Sequence, residues 1–422
     1  MTVARRRTLT TPAYWLLAAT AALVCVGLVM IYSASSVSDY VKLGDSAYHL
    51  KKQLTLALAG AVALLVLSHW DFRAGRRKGP GILKPAVVAW TVWAASVVGL
   101  LLLRVAGVES GGATRSLDLG VAFVQPSEFA KLGTIMLVAV LMVAWRRGEL
   151  PTSKFIGMLA VVLLPVIALV MLQPDLGTTI SIVAAAFALL WLGGAHAGLL
   201  ILGGTGAIAA AALAIWGAGY RMERVTSFLD PWADPSDTGY QIIQSLYAFG
   251  SGGLTGVGLG LSRQKFFYLP FAHTDFIFAV VGEELGLLGA LAVVIAFGVF
   301  AYCGYRIALA CKDPFGRLMA GGITTLIVTQ ALMNMAAVTG LMPITGIPLP
   351  FMSAGGSSLM LTLAGVGLIL SVARYGGQDR VRLVRATTTR GSDGASTAER
   401  RGDGRAHLSG LDGGRAAGRR GA

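Results

Sequence analysis

LPFAHTDFIFAVVGEELGLLGALAVVIAFGVFAYC, running from Leu269 to Cys303, decides how the chain is read. From Phe276 to Cys303 it is apolar over more than the ~20 residues that cross a hydrocarbon core. Yet Asp275 stands at its threshold, and Glu283 and Glu284 lie about 12 Å further in at ~1.5 Å of rise per helical residue. Ionised carboxylates at membrane depth are costly, so they mark either function or internal pairing.

The rest of the chain fits a membrane setting. Its 422 residues are 55% hydrophobic and 13% charged, against about 25% charged in a soluble domain. This composition excludes a soluble globular enzyme and predicts an all-α polytopic membrane protein, with no nucleic-acid partner. Cys25, Cys303 and Cys311 lie in or at the end of apolar runs, without CxxC or Cys/His spacing, so no metal or redox centre is indicated. The run after MTVARRRTLTTP is too long for a signal-peptide core and reads as a retained first span.

Ten apolar runs of spanning length follow, at roughly 13–34, 53–70, 83–103, 127–145, 155–172, 177–194, 197–217, 276–303, 318–340 and 354–373. With the N-terminus cytoplasmic, Arg5, Arg6, Arg7, Arg73, Arg76, Arg77, Lys78, Arg146, Arg147, Lys154, Arg306, Lys312 and Arg317 all fall inside. That excess predicts ten spans with both termini cytoplasmic. The expected organisation is a cytoplasmic N-terminus over 1–12, a membrane domain over 13–375 and a basic tail over 376–422. Within the membrane domain, 218–275 forms a large extracytoplasmic loop, rich in aromatic and apolar residues and expected to be ordered. From Arg374 onward the chain has eleven arginines and five acids. This composition predicts disorder, either as a solvated tail or as one drawn to anionic inner-leaflet lipid.

The polar residues gather on the outer side. In RSLDLGVAFVQPSEFAKL, Arg115, Gln125, Glu128 and Lys131 flank or enter the fourth span. Glu128 and Lys131 share a helix face, either as a structural pair or as substrate contacts. Asp175, in LQPDLGTT, is placed to cap the sixth span. In HTDF, Thr274 is a plausible N-cap with Asp275 in the first turn, where the helix dipole favours a carboxylate. His273 is open as ligand, proton shuttle or cap. On a continuous helix Glu283 and Glu284 cannot both share the direction of Asp275, so at least one is expected to pack against a neighbouring helix. Lys265, in the outer loop, is a candidate substrate contact lining an outward-facing cavity.

Two glycine-rich stretches differ in promise. GSGGLTGVGLGLS has no preceding strand and no GK[ST], so it reads as a flexible loop rather than a nucleotide site. In GLMPITGIPLPFMSAGGSS, Pro343, Pro348 and Pro350 forbid a continuous helix, and broken backbone at this depth needs protein or a wet cavity around it. Ser353, Gly355, Gly356, Ser357 and Ser358 then open a helix whose free amides suit phosphate oxygens.

These blocks (MIYSAS, QPSEFAKL, LQPDLGTT, GYQIIQSLYAFGSGGLTGVGLG, LPFAHTDFIFAVVGEELG and TGLMPITGIPLPFMSAGGSS) resemble the SEDS family of peptidoglycan glycosyltransferases, FtsW and RodA, over roughly 13–375. The resemblance implies a ten-helix fold and, as substrates, lipid II and a growing glycan linked to undecaprenyl pyrophosphate. It implies that the position of Asp275 is the base, that the Glu128–Lys131 pair lies near it, and that a weakly held Mg²⁺ or Mn²⁺ serves the pyrophosphate, with its protein ligands unassigned. It also implies a class B penicillin-binding protein transpeptidase as partner, among other divisome or elongasome membrane proteins. An FtsW-like septal role is slightly favoured over a RodA-like side-wall role. Phe271, Ala354 and Ser116 stand where the family usually has a polar residue, Tyr and Trp. A lipid II flippase and a scaffold for the transpeptidase are the competing readings.

Overall fold

The computed structural model describes residues 9–73, 84–110, 113–118, 123–217 and 219–376. The basic tail and Arg5, Arg6, Arg7, Arg76, Arg77 and Lys78 lie outside the described residues. Helices follow one another as α1 (Thr11–Leu43), α2 (Tyr48–Ser68), α3 (Pro85–Ala106), α4 (Pro126–Arg146), α5 (Thr152–Met171), α6 (Leu176–Leu192) and α7 (Ala197–Trp216). The large loop contributes α8 (Gly219–Leu229) and α9 (Tyr240–Gly252), and α10 (Ile277–Ala310), α11 (Pro314–Val338) and α12 (Ser357–Tyr375) complete the bundle. Among the described residues nine helices are long and apolar enough to cross a membrane, and α6 is a shorter apolar helix. The chain is a mostly helical, multi-pass membrane protein.

The helices are longer than their apolar stretches. α1 runs on through SASSVSDYVKL, because nothing there stops it until Gly44, whose φ of 73° makes a left-handed cap with its amide donating to the Tyr40 carbonyl. Between α3 and α4, where the sequence reading sees only a loop, there is a small antiparallel sheet. β1 (Gly107–Ser110), β2 (Ala113–Asp118) and β3 (Phe123–Val124) pair in that order, with Gly107 opposite Leu117 and Leu117 opposite Val124. Strands this short leave too little alternation to register beside apolar helices.

Within the large loop, α9 packs along α10. GSGGLTGVGLGLS is not a free loop. The helix of α10 breaks at Gly286 (φ 67°, ψ −165°), and this segment fills the break. Amides of Val257 and Gly258 donate to the carbonyls of Glu283 and Glu284 at 3.0 and 3.1 Å. Amides of Leu287 and Leu288 donate back to Gly253 and Leu254 at 2.9 and 3.2 Å. The wedge thus satisfies backbone groups that a broken helix would leave orphaned in lipid. Glycine is needed because the two backbones touch: a methyl on Gly252 would be driven into the Gly282 carbonyl. Gly252→Ala should therefore cost ~1–3 kcal/mol of stability, seen as a lowered melting midpoint of the purified protein in detergent.

Candidate functional site

Asp275 sits in a tight turn just before α10, not within its first turn. Phe271, at φ 57°, is an uncommon left-handed non-glycine residue. Its carbonyl accepts from the amides of Thr274 and Phe276 at 3.0 and 3.3 Å. The Thr274 hydroxyl also donates to it at 3.1 Å, so Thr274 does not cap the helix; Phe276 occupies that position. Asp275 precedes the helix, whose N-cap is Phe276, so an angular argument along a continuous helix does not reach it.

Two other segments hold this turn. Ser353 Oγ donates to the Thr274 carbonyl at 2.6 Å and accepts from the Leu349 amide at 2.8 Å. Asn334 Nδ2, from α11, donates to the Asp275 carbonyl at 2.7 Å and to the Ile347 carbonyl at 2.8 Å. Asn334 thus ties the turn to the proline-rich segment 343–350, which is non-helical as Pro343, Pro348 and Pro350 require. The sequence reading passes over Asn334, although an amide inside the apolar run ALMNMAAV is itself a signal.

The carboxylate of Asp275 is partly buried, and no described residue forms a hydrogen bond or ion pair with it. Burial raises its pKa to about 6; Arg115 and Arg224 pull it down and Asp175 pushes it up. It lines a cavity of about 10 Å³ with Asn334, Ile344 and Thr345 among its walls, room for about one water. At Gly346 (φ 68°) a side chain would begin 3.7 Å from Asp275 Oδ2.

The remaining candidates divide into three groups. Arg115 stays near the base, its guanidinium donating to the carbonyls of Gln173 and Pro174 at 3.3 and 2.9 Å. Asp175 caps α6 as expected, accepting from the amide and hydroxyl of Thr178 at 2.9 Å each. His273 turns towards a neighbouring histidine, its ring 4.7 Å from that of His49, which in turn binds Asp39 at 2.6 Å. Burial, with His49 adding to it, lowers the His273 pKa to about 4, so His273 is neutral at pH 7.

A second group serves the frame. Glu284 accepts from Ser33 of α1 at 2.6 and 2.8 Å, and Glu283 from Ser262 and the Arg263 amide. Both glutamates are 1% exposed. This bears out the expected packing contact with a partner helix. Lys265, expected near substrate, is instead buried 3.7 Å from Glu284 with its ammonium donating to the Gly260 carbonyl. Burying two glutamates beside the helix break calls for a cation, and Lys265 supplies it.

Lastly, Glu128 and Lys131 form a 2.7 Å ion pair with side chains 6% and 2% exposed. The pair borders a different small cavity with Gln330 and Thr362, so the structure does not bring it into the Asp275 pocket. The helix start at α12 is mixed. Ser357 Oγ accepts from the Gln125 amide at 3.0 Å, whereas the amides of Gly355 and Gly356 have no partner among the described residues. Ser358 is buried beside them.

Comparison with known proteins agrees with this architecture. The family model described as cell cycle protein, covering FtsW, RodA and SpoVE, matches residues 14–378. Stage V sporulation protein E of Bacillus subtilis is 39% identical over 373 residues, 87% of this chain and 98% of that protein. A probable peptidoglycan glycosyltransferase FtsW of Alkalilimnicola ehrlichii is 44% identical over 378 residues, 85% of this chain and 88% of that one. Among solved structures, a chain of a peptidoglycan synthase complex that coordinates polymerization and crosslinking superposes with a TM-score of 0.70 at 30% identity, covering 87% of this chain and 98% of that one. The rod shape determining protein RodA of Thermus thermophilus superposes with 0.62 at 28%, covering 86% and 97%. With matches this extensive, and with the HTDF turn, the broken α10 and the proline-rich segment all in place, the chain belongs to the FtsW/RodA/SpoVE family of cell cycle proteins.

Proposed function

We propose that this protein is a peptidoglycan glycosyltransferase that polymerises lipid II into β-1,4 glycan strands, in an FtsW-like septal role with a RodA-like side-wall role as the alternative. The observation that carries the reading is Asp275: a carboxylate without a partner among the described residues, partly solvent-exposed, pinned by Ser353 and Asn334 through its flanking backbone, with its pKa raised to about 6. A general base is most effective when its pKa lies near the working pH.

In the proposed reaction the 4-hydroxyl of one sugar attacks the anomeric carbon of the sugar linked to undecaprenyl pyrophosphate. The hydroxyl proton passes to the Asp275 carboxylate as the new carbon–oxygen bond forms. The bond to the pyrophosphate oxygen breaks, and its electron pair leaves with undecaprenyl pyrophosphate. Attack from the opposite face turns an α linkage into a β linkage. Arg115 and Arg224 supply positive charge near the base, and the amides of Gly355 and Gly356 suit pyrophosphate oxygens. Among the described residues no three His, Cys, Asp or Glu side chains converge as a metal cage. A Mg²⁺ or Mn²⁺ held weakly, by one or two carboxylates and mostly by pyrophosphate oxygens, needs no such cage; it stays in the proposal without assigned protein ligands, and the steps above rest on side chains and backbone amides.

Both termini are proposed to be cytoplasmic, with Asp275 on the outer side and a class B penicillin-binding protein as partner. The purified protein with that transpeptidase should convert lipid II into long strands separable by gel electrophoresis. Translocation of lipid II in liposomes without any polymer would instead make it a flippase. Fluorescent fusion protein at midcell rather than along the side wall is the expected localisation.

A further inference from the structure

The cavity at Asp275 holds about one water, yet a much larger one lies beside it. Between α8 and α9 the outer loop forms an open cleft of about 260 Å³, walled by Tyr220, Glu223, Arg224, Asp237, Thr238 and Gln241, most of them solvent-exposed. Ile344 lines both cavities. Arg224 donates to the Ile344 carbonyl at 3.1 Å and also acts on the charge of Asp275. The large cavity is thus next door to the base, separated by one residue of the proline-rich segment.

Its chemistry selects an occupant. The carboxylates of Glu223 and Asp237, both solvent-exposed, and the half-buried amide of Gln241 have no hydrogen-bond partner among the described residues. The wall therefore offers acceptors (Glu223, Asp237), a donor (Arg224), a group that does both (Gln241), the Thr238 hydroxyl as an acceptor because it already donates to Asp234, and an aromatic ring (Tyr220). Two acids against one arginine do not suit a phosphate. A single guanidinium in the wall and the open, mixed donor set do not suit a divalent cation, which wants an oxygen cage. A neutral ring carrying hydroxyls and amides, with an apolar C–H face for an aromatic side chain, uses every group present. By the measure that gives the small cavity room for one water, ~10–15 Å³ each, the cleft of about 260 Å³ takes roughly twenty, room for one hexopyranose with its substituents.

We infer that this cavity is a saccharide subsite that holds a sugar of the glycan adjacent to the reacting bond, with Asp237 and Gln241 as its principal hydrogen-bonding groups. This inference rests on the glycosyltransferase reading for the identity of its ligand, but its test does not. The site positions the strand while Asp275 performs the proton transfer on the other side of Ile344.

The probe is a β-1,4-linked GlcNAc–MurNAc tetrasaccharide without lipid or pyrophosphate, added to the full-length protein in detergent and followed by saturation-transfer NMR. Wild type and Asp275→Asn should bind it alike, and the Asp237→Ala/Gln241→Ala variant should bind at least about tenfold more weakly. In polymerisation, that variant should raise KM for lipid II and shorten the strands while kcat stays near wild type. If it melts early, Thr238→Arg fills the cavity from an exposed position and should have the same effects. Equal binding by wild type and both cavity variants overturns the inference, as does binding of the stem peptide alone. Tetrasaccharide binding that the cavity variants abolish, in a protein that makes no polymer, would keep the subsite and remove the glycosyltransferase reading. Polymer formation with unchanged binding in the variants would do the reverse.

Discussion

Asp275→Asn should abolish lipid II polymerisation and yet raise the melting point of the protein. Loss of a positioned general base costs about 10²–10⁴ in rate, and asparagine keeps the shape of the side chain while removing its capacity to take a proton. The stability change follows from the same carboxylate. Its folded pKa is raised to about 6 from 3.8, so above that pH the folded protein carries a charge the unfolded chain carries more easily. At ~1.36 kcal/mol per pKa unit the ceiling is about 3 kcal/mol, reduced by the solvent that reaches a partly exposed group. The gain should be present at pH 7–8 and disappear as the pH is lowered below 4, where both states of the wild type are protonated. Thermal unfolding of the two proteins across that range checks the sign. A variant that is inactive because it is misfolded would melt lower, not higher.

Lys131→Met should be strongly destabilising. The Glu128–Lys131 pair is 2.7 Å long and sealed between α4, α11 and α12. Removing the lysine leaves a carboxylate with no counter-charge, which costs ~3–5 kcal/mol at a buried site. The double variant Glu128→Gln/Lys131→Met takes away both charges and should recover most of the loss, because burying an ion pair is itself expensive. Melting midpoints in detergent test this, and a single variant as stable as wild type would mean that the pair is not a charged contact. The rescued double variant then separates the two roles open in the sequence. If it polymerises, the pair only holds the bundle; if it melts normally and makes no polymer, the charges are used.

Hydropathy alone places the long apolar helices, since the runs are apolar and the breaks are rich in glycine, proline and charge, although the run read over 177–194 is a shorter helix among the described residues. Capping by Asp175 is equally legible, because it depends on residues three apart. What is hidden depends on segments distant in the chain. Ser33 meets Glu284 across 251 positions, and the glycine wedge meets the break in α10 through backbone groups that carry no side-chain signal. Lys265 is a basic loop residue in sequence and a buried counter-charge in the fold. Thr274 has the composition of a cap, but Phe271 closes the turn and takes its hydroxyl. Asn334 is the instructive omission. A lone amide in an apolar helix must find partners, and here it finds the two carbonyls that fix the base.

The proton acceptor is tested most directly by the pH dependence of the initial polymerisation rate for the wild-type protein with its transpeptidase partner. With Asp275 as the base, the rate should plateau at pH 7–8 and fall along an acid limb through about 6, about tenfold per pH unit below it, while the melting point stays level or rises. A rate that holds flat down to pH 5 in the folded protein would mean that the carboxylate of Asp275 does not take the proton.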